Sequence, residues 1–389
     1  MYLAWITIVM SVLGAGFAYI GWRMIASGGL PPLWKLPAWT VLALMFLLPF
    51  GISFTLRRKE RFADLFSWPV YVVLGFLSFV LMVLVVRDLL LIVWQGMKQA
   101  PTDPSRRDFL LRMSNAGVLA TAGAFTGYGI YQARRRPGIV NLTVPLAGLP
   151  AEFAGFRIVQ ITDIHAGLTV KRDWIETIAE EVRTLRPDLI AFTGDLADGS
   201  VPHLRDDVAP FGDLTAPHGK FFVTGNHEYY SGAEAWIEEA RRLGYDVLMN
   251  EHRLIRRGGT QLVLAGVTDF TGGRFLARHS SDPGAAIENA PPGAVKILLA
   301  HQPRTLYAAQ GLGFGLMISG HTHGGQFFPW NFVAAIGQPY ISGLHRHKGT
   351  WVYVSRGTGY WGPPVRLGAR SEITVFTLER ENGGAAATG

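Results

Sequence analysis

Five times between residues 157 and 323 a run of β-forming residues ends in a short polar cluster. Residues 157–162 lead to Asp163-Ile164-His165, and 189–193 to Gly194-Asp195. Residues 220–224 lead to Gly225-Asn226-His227-Glu228, 296–300 to His301, and 316–319 to Gly320-His321-Thr322-His323. This repeat places each cluster at the C-terminal end of a strand. Helix-like stretches lie between. Residues 173–185 carry Trp174, Ile178 and Val182 at helical spacing and stop before Pro187, and 233–243 read as another helix. Residues 253–255 and 261–267 read as a hairpin around Arg257-Gly258-Gly259, with further strands at 351–355 and 373–378. The alternation predicts an α/β layered fold, and so many strands predict two packed sheets with helices outside. Rigid strand ends hold side-chain geometry well.

The clusters supply two carboxylates (Asp163, Asp195), one amide (Asn226) and the imidazoles of His165, His301, His321 and His323, with His227 in addition. Such a set suits two adjacent divalent cations. Paired cations are the usual means of hydrolysing a phosphate ester. Glycines 194, 225 and 320 are expected to let the backbone turn so that the next residue faces the metals. Taken singly, Asp163, Asp195 and Asn226 are ordinary turn residues. Their company of histidines argues otherwise. His203, His218, His252 and His279 lack that company and read as capped or solvated side chains. The chain has no cysteine, which excludes thiolate metal sites, disulfides and a cysteine nucleophile.

The first third has a different character. Residues 1–22, 38–56 and 68–94 are apolar and near the roughly 20 residues that span a bilayer. Tryptophans 22, 39, 68 and 94 sit near their ends, as interfacial anchors do. The third stretch carries Arg87-Asp88, which predicts a tilt or an end left in the interface. The first lacks a basic start and a small-residue cleavage site, so it reads as a span and not as a cleaved signal. Ser105-Arg106-Arg107-Asp108-Phe109-Leu110 precedes a weakly apolar run, 113–131, and resembles a twin-arginine export signal. The bland alternative is a pair of cytoplasmic flanking charges. Placing Arg106 and Arg107 in the cytoplasm puts Arg23, Lys35, Lys98 and Arg112 with them. Arg57, Arg58, Lys59, Arg61, Arg134, Arg135 and Arg136 then face out, so the positive-inside rule does not choose a topology. The net charge of +7 is largely these flanking clusters, so no specific nucleic acid is expected as a partner. Few polar residues interrupt the spans, which favours anchoring over a transport path. Domains are therefore expected at 1–97 (three membrane helices), 98–138 (the twin-arginine-like segment, a fourth apolar helix and linker), 139–380 (catalytic) and 381–389 (a small, polar, disordered tail).

From about Asn141 to Leu378 these motifs resemble the calcineurin-like metallophosphoesterases, with all five family blocks present in order. Asn141-Leu142-Thr143-Val144 and Gly320-His321-Thr322-His323-Gly324-Gly325-Gln326 look most like membrane-associated bacterial phosphodiesterase or phosphoesterase members. The resemblance implies a two-sheet β-sandwich flanked by helices. It implies that Asp163, His165 and His323 bind one metal, that Asn226, His301 and His321 bind a second, and that Asp195 bridges both. It also implies attack by a hydroxide bridging the metals, with His227 assisting the leaving group and Asp198 orienting His227 or a ligand. Mn²⁺, Zn²⁺ or Fe suits such ligands, and affinity order alone does not choose between them.

The same ligands serve phosphodiesters, pyrophosphates and phosphomonoesters. The membrane third favours a lipid-linked phosphoester, with the bilayer and the twin-arginine translocase as partners. The expected location is the bacterial inner membrane, multi-pass, with the catalytic domain on the periplasmic or extracytoplasmic side. Residues 324–348 form a less regular, partly apolar stretch, read either as a lid or lipid-facing rim or as a loop packed on its own sandwich. Arg274, His345, Arg346, His347, Arg356 and Arg366 are candidates for substrate phosphate or head group. A metal-binding sensor or scaffold is the alternative function. His227 argues against it, since a scaffold needs no leaving-group acid.

Overall fold

The computed structural model describes residues 2–56, 60–97 and 103–381. The basic cluster at 57–59, Lys98 and the tail from 382 lie outside the described residues. The chain divides into two compact units. One comprises Met1–Tyr131 with Gly362–Val365, and the other Gln132–Trp361 with Arg366–Gly389.

The first unit is helical. Helices α1 (Tyr2–Gly21), α2 (Pro32–Leu56), α3 (Glu60–Met97) and α4 (Pro104–Arg134) are mostly longer than their apolar runs, and a π-helical turn, Trp22–Ala26, follows α1. Among the described residues one segment, Ser67–Val93, is long and apolar enough to cross a membrane, and Pro32–Leu47 is a shorter apolar helix. Large apolar side chains such as Val12, Leu33, Leu90 and Ile92 are exposed. The Arg87-Asp88 pair is satisfied internally. Asp88 accepts from Tyr19 and pairs with Arg23 at 2.7 Å and Arg87 at 2.8 Å. Arg87 donates to Asn115 Oδ1 at 2.6 Å, Asn115 to the Gly28 carbonyl at 3.2 Å, and Arg112 to the Gly29 carbonyl at 2.8 Å. One polar knot thus ties α1, α3, α4 and the 27–29 turn, as groups removed from water require.

The described residues of the second unit form twelve strands in two six-stranded mixed sheets. The first sheet holds β1 (Gly138–Leu146), β2 (Arg157–Ile161), β3 (Leu189–Phe192), β4 (Lys220–Phe222), β5 (Asp246–Val247) and β12 (Glu372–Arg380), in the order β1-β12-β2-β3-β4-β5. The second holds β6 (Glu251–Arg257), β7 (Thr260–Gly266), β8 (Lys296–Leu299), β9 (Phe314–Ser319), β10 (Gly343–His347) and β11 (Thr350–Val354), in the order β10-β11-β9-β8-β7-β6. Side-chain alternation sorts the strand residues into layers. In β3, Leu189 and Ala191 join the core between the sheets, while Ile190 and Phe192 face the helices. In β8, Ile297 and Leu299 face the inner core and Leu298 the outer one.

Helix α5 (Arg172–Thr184) covers the first sheet with Trp174, Ile175, Ile178, Ala179 and Val182, all buried. Each large apolar side chain so buried contributes about 1.5–3 kcal/mol. Arg186, at φ 47°, and Pro187 stop the chain from continuing as helix. Helices α6 (Val201–Val208), α7 (Asn226–Ser231) and α8 (Ala233–Arg242) follow, with α9 (Leu306–Ala309) and α10 (Trp330–Gly337) in the second half. The stretch 324–348 is more regular than its sequence suggests, since it contains both α10 and β10.

The parallel runs β2-β3-β4 and β7-β8-β9 point their C-terminal ends the same way within each sheet. Those ends carry the polar clusters.

Candidate metal centre

Most of the predicted ligand residues sit where the backbone is strained. Asp163 (φ 55°), His165 (53°), Asp195 (55°), His321 (74°) and His323 (52°) all have left-handed conformations, five of the ten described non-glycine residues that do. Such a conformation costs on the order of 1–3 kcal/mol per residue and persists only where surroundings enforce it. Composition and spacing give no sign of this. The glycines have two jobs, not one. Gly194 has a positive φ of 87° and turns the chain. Gly225 and Gly320 give room instead: a Cβ on them would meet the carboxylates of Asp195 and Asp163.

Six of the seven predicted residues converge. Ligand atoms of Asp163, His165 and His323 lie within 4.8 Å of one another, and so do those of Asp195, His301 and His321. Asp195 stands between the groups, 3.7 Å from His165 Nε2 and 3.0 Å from His301 Nε2. His203, His218, His252 and His279 join no such group among the described residues.

The donor set fits cations on its own chemistry. His165 turns Nδ1 to Asp198 (3.1 Å) and His301 turns Nδ1 to the Thr193 carbonyl (2.7 Å). Each acceptor turns Nε2 toward the cluster. There His165 Nε2 lies 3.0 Å from His323 Nε2, and His301 Nε2 lies 3.2 Å from His321 Nδ1. Four ring nitrogens gathered beside the Asp195 carboxylate suit divalent cations. Asn226 Oδ1 is buried with no hydrogen-bond partner, an acceptor waiting for a cation. Burial, helped by His301, lowers His321 to about 3. Burial, with His165 and Arg366, also holds His323 well below the usual imidazole range. Both stay neutral and able to coordinate. His301 is the opposite case. Burial disfavours its charge, but Asp195, joined by Asp163 and Asp269, outweighs burial and raises it well above the ordinary value.

His227 lies beside the cluster on its more open side. Its backbone N–H donates to Asp195 Oδ1 (2.9 Å), and its Nδ1 is 2.5 Å from Asp198 Oδ1. Burial opposes its protonation, but Asp195 and Asp198 outweigh burial and raise it to about 9. Asp198 is itself held below the carboxylate range: burial works against its charge, and His165 with His227 prevails. One carboxylate thus orients both His165 and His227.

Glu228 is a functional residue that the sequence reading left without a role. It is fully buried and accepts from the N–H groups of Gly225 (2.6 Å), Asp195 (3.0 Å) and Leu196 (2.7 Å). It therefore locks the turn carrying Asp195 to the turn carrying Asn226. Burial and the neighbouring Asp195 raise it to about 7. Its place directly after Asn226-His227 was the available signal.

The phosphate-contact candidates scatter. Arg274 is exposed on a short 3-10 turn, and its charge reaches Tyr230. His345 stacks on Tyr340 at 4.1 Å and contacts the Ser342 carbonyl. His347 Nδ1 is 3.2 Å from the Tyr340 hydroxyl. Arg346 pairs with Glu381 at 3.1 Å and lies over the Trp351 ring. Arg356 pairs with Glu372 at 3.3 Å, its aliphatic part against Gly324. Arg366 needs correction as a head-group contact. It is fully buried and donates to the carbonyls of Gly359, Ala369 and Arg356, with Nη2 3.1 Å from His323 Nδ1. Its donors brace the turn around His323.

The model of the family described as calcineurin-like phosphoesterase matches residues 156–325, the segment that holds all of these ligand residues. A Danio rerio protein named "Transmembrane protein with metallophosphoesterase domain" is 35% identical over 88% of this chain and 80% of its own length. The chain belongs to the calcineurin-like phosphoesterases. A Helicobacter pylori protein named "Uncharacterized metallophosphoesterase" is 34% identical over 72% of this chain and 74% of its own. "Uncharacterized metallophosphoesterase YkuE" of Bacillus subtilis is 30% identical over 72% of this chain and 99% of its own. Membership of the family makes the protein a metal-dependent phosphoester hydrolase that uses divalent metals. The two-sheet sandwich with flanking helices is the fold of that family.

Proposed function

We propose that the protein is a membrane-anchored dinuclear phosphoesterase that cleaves a phosphodiester, pyrophosphate or phosphomonoester. Asp163, His165 and His323 would hold one divalent ion, Asn226, His301 and His321 a second, with Asp195 shared. Mn²⁺, Zn²⁺ and Fe all suit this set of imidazole and carboxylate donors. When bound, such ions supply Lewis acidity that activates water and neutralises phosphoryl oxygens. The chain's own residues do the rest. His227, held through Nδ1 by Asp198, has Nε2 left to donate a proton to the leaving oxygen. Asp198 fixes that imidazole and His165 together. Glu228 holds Asp195 and Asn226 in register through backbone N–H groups.

The observation that carries this assignment is the gathering of carboxylate and imidazole ligand atoms into two groups with Asp195 beside both. Turnover of bis(p-nitrophenyl) phosphate by the metal-loaded full chain tests it. Asp195→Asn and His227→Ala are each expected to lose most of that turnover. Full activity in both variants would rule the assigned site out.

We further propose that α1–α4 anchor the chain as a multi-pass unit and that the segment around Arg106 and Arg107 directs twin-arginine export in a bacterial inner membrane. The exposed apolar side chains of the helical unit and the Ser67–Val93 segment support anchoring. Protease access to a C-terminal tag in spheroplasts decides the side. Digestion without lysis is expected, and protection until lysis would place the catalytic unit in the cytoplasm.

A further inference from the structure

Apart from Tyr307, whose ring lies beside His347 near the β10–β11 turn, the exposed large apolar side chains of the described catalytic unit lie on segments that leave strand ends on the ligand side. Tyr230 follows β4, Phe275 follows β7, Phe332 and Ile336 follow β9, and Trp361 follows β11. Helix α10 is the extreme case. None of its residues is buried, yet Phe332 is 61% and Ile336 86% exposed. Both ends of the α10 segment are tied to the ligand turn. The segment leaves directly after His323, and the Ile341 carbonyl accepts from Thr322 Oγ1 at 2.6 Å. Gln326, on the same segment, exchanges two hydrogen bonds with the Trp361 backbone (2.9 and 2.8 Å), and the Trp361 ring lies 5.5 Å from His227. The apolar rim is thus continuous with the site.

We propose that this face docks on a lipid bilayer and that the substrate is a phosphoester displayed in the headgroup layer; the substrate half rests on the phosphoesterase assignment above. The rim mixes Trp, Tyr and Phe with cations, as bilayer interfaces favour. Arg274 and Arg304 sit among the aromatics, Arg304 over the Phe270 ring at 4.8 Å. Neither makes an ion pair with a described carboxylate. Cations left over beside apolar groups complement phosphate headgroups. The same chain carries a segment able to enter a bilayer, so a bilayer is tethered within reach at high effective concentration. Exposed apolar side chains grouped in this way mark an interaction surface.

The chain has no cysteine, so Ile336→Cys gives one labelling site in the full protein. A bimane label there is read in nanodiscs of phosphatidylcholine and phosphatidylglycerol with brominated acyl chains. Phe332→Cys is a second rim position, and Pro292→Cys, in the turn before β8, is the control. Quenching at 336 and 332 at least about twofold above that at 292 is expected, since a rim side chain would lie at the acyl boundary. Equal quenching at all three sites, or a 336–336 disulfide between copies in place of quenching, would overturn the bilayer face. Turnover of bis(p-nitrophenyl) phosphate is followed in the same samples. Turnover without rim quenching counts against the face alone. Rim quenching without turnover in the unsubstituted protein supports the face and counts against the phosphoesterase assignment. The double variant Phe332→Ser/Ile336→Ser is expected to cut hydrolysis of bilayer-embedded hexadecyl p-nitrophenyl phosphate about tenfold or more, leaving the soluble diester within about twofold. Equal loss on both substrates, or on neither, would overturn the headgroup substrate class.

Discussion

The two units of this chain bury opposite things. In the helical unit, Val12, Leu33, Leu90 and Ile92 face out, and Asp88 with its arginines is drawn in and paired. In the catalytic unit the apolar side chains fill three cores, and the charged residues that matter gather at strand ends. Both arrangements obey one rule: a polar group removed from water must find partners. The difference lies in what those partners can be. In the helical unit every partner of Asp88 is another side chain of the chain. At the strand ends Asn226 Oδ1 lacks such a partner and points to a cation.

Removing a charge from each place sharpens that contrast. Asp195→Asn is expected to have the largest effect, at least about 10²–10³-fold in kcat/KM, the size of losing one electrostatic stabiliser at a reacting centre. Steady-state kinetics on the soluble diester reads it. His227→Ala is expected to lose a similar or smaller amount, within the range of about 10²–10⁴-fold for a general acid. Glu228→Ala leaves three buried N–H groups without an acceptor. Each unsatisfied group costs about 1–3 kcal/mol, so denaturant unfolding of the catalytic unit should shift by a few kcal/mol. An unchanged midpoint would make the three hydrogen bonds irrelevant. Asp198→Asn is expected to lower metal affinity or activity about 10–100-fold, as loss of an orienting partner does. Asp88→Asn belongs to the other unit. It should leave turnover of the soluble diester unchanged and lower stability in detergent by about 1–2 kcal/mol. A loss of turnover there would mean the two units are coupled.

Acidity gives a further handle on the site. His301 is raised because Asp195 stabilises its protonated form, so a cation must displace that proton. Metal affinity measured by calorimetry should therefore fall as pH drops, with proton release on binding. Affinity independent of pH would exclude His301 as a ligand.

Much of this was legible in the sequence, for identifiable reasons. β2, β3, β4, β8 and β9 show as runs because parallel strands buried on both faces are continuously apolar. The hairpin of β6 and β7 shows because Gly258 and Gly259 mark its turn. The candidate ligands show because each residue follows such a run. β10 and α10 did not show, since β10 is an edge strand of mixed polarity and α10 is apolar without a covered face. Nor could spacing reveal that Arg366 turns inward, because a long flexible side chain goes wherever carbonyl acceptors await it.

By itself, then, the sequence determined the alternation of strands and helices, the polar clusters at strand ends and the apolar first third. These are local properties, carried by period, composition and turn residues. Only the tertiary structure decided the left-handed backbone at Asp163, His165, Asp195, His321 and His323, the three N–H groups on Glu228, and the shared hold of Asp198 on His165 and His227. Those depend on which strand ends become neighbours. Strand order in the first sheet settles it for Asp198 and Glu228, and the packing of the two sheets settles it for Asp163 and His321, 158 residues apart.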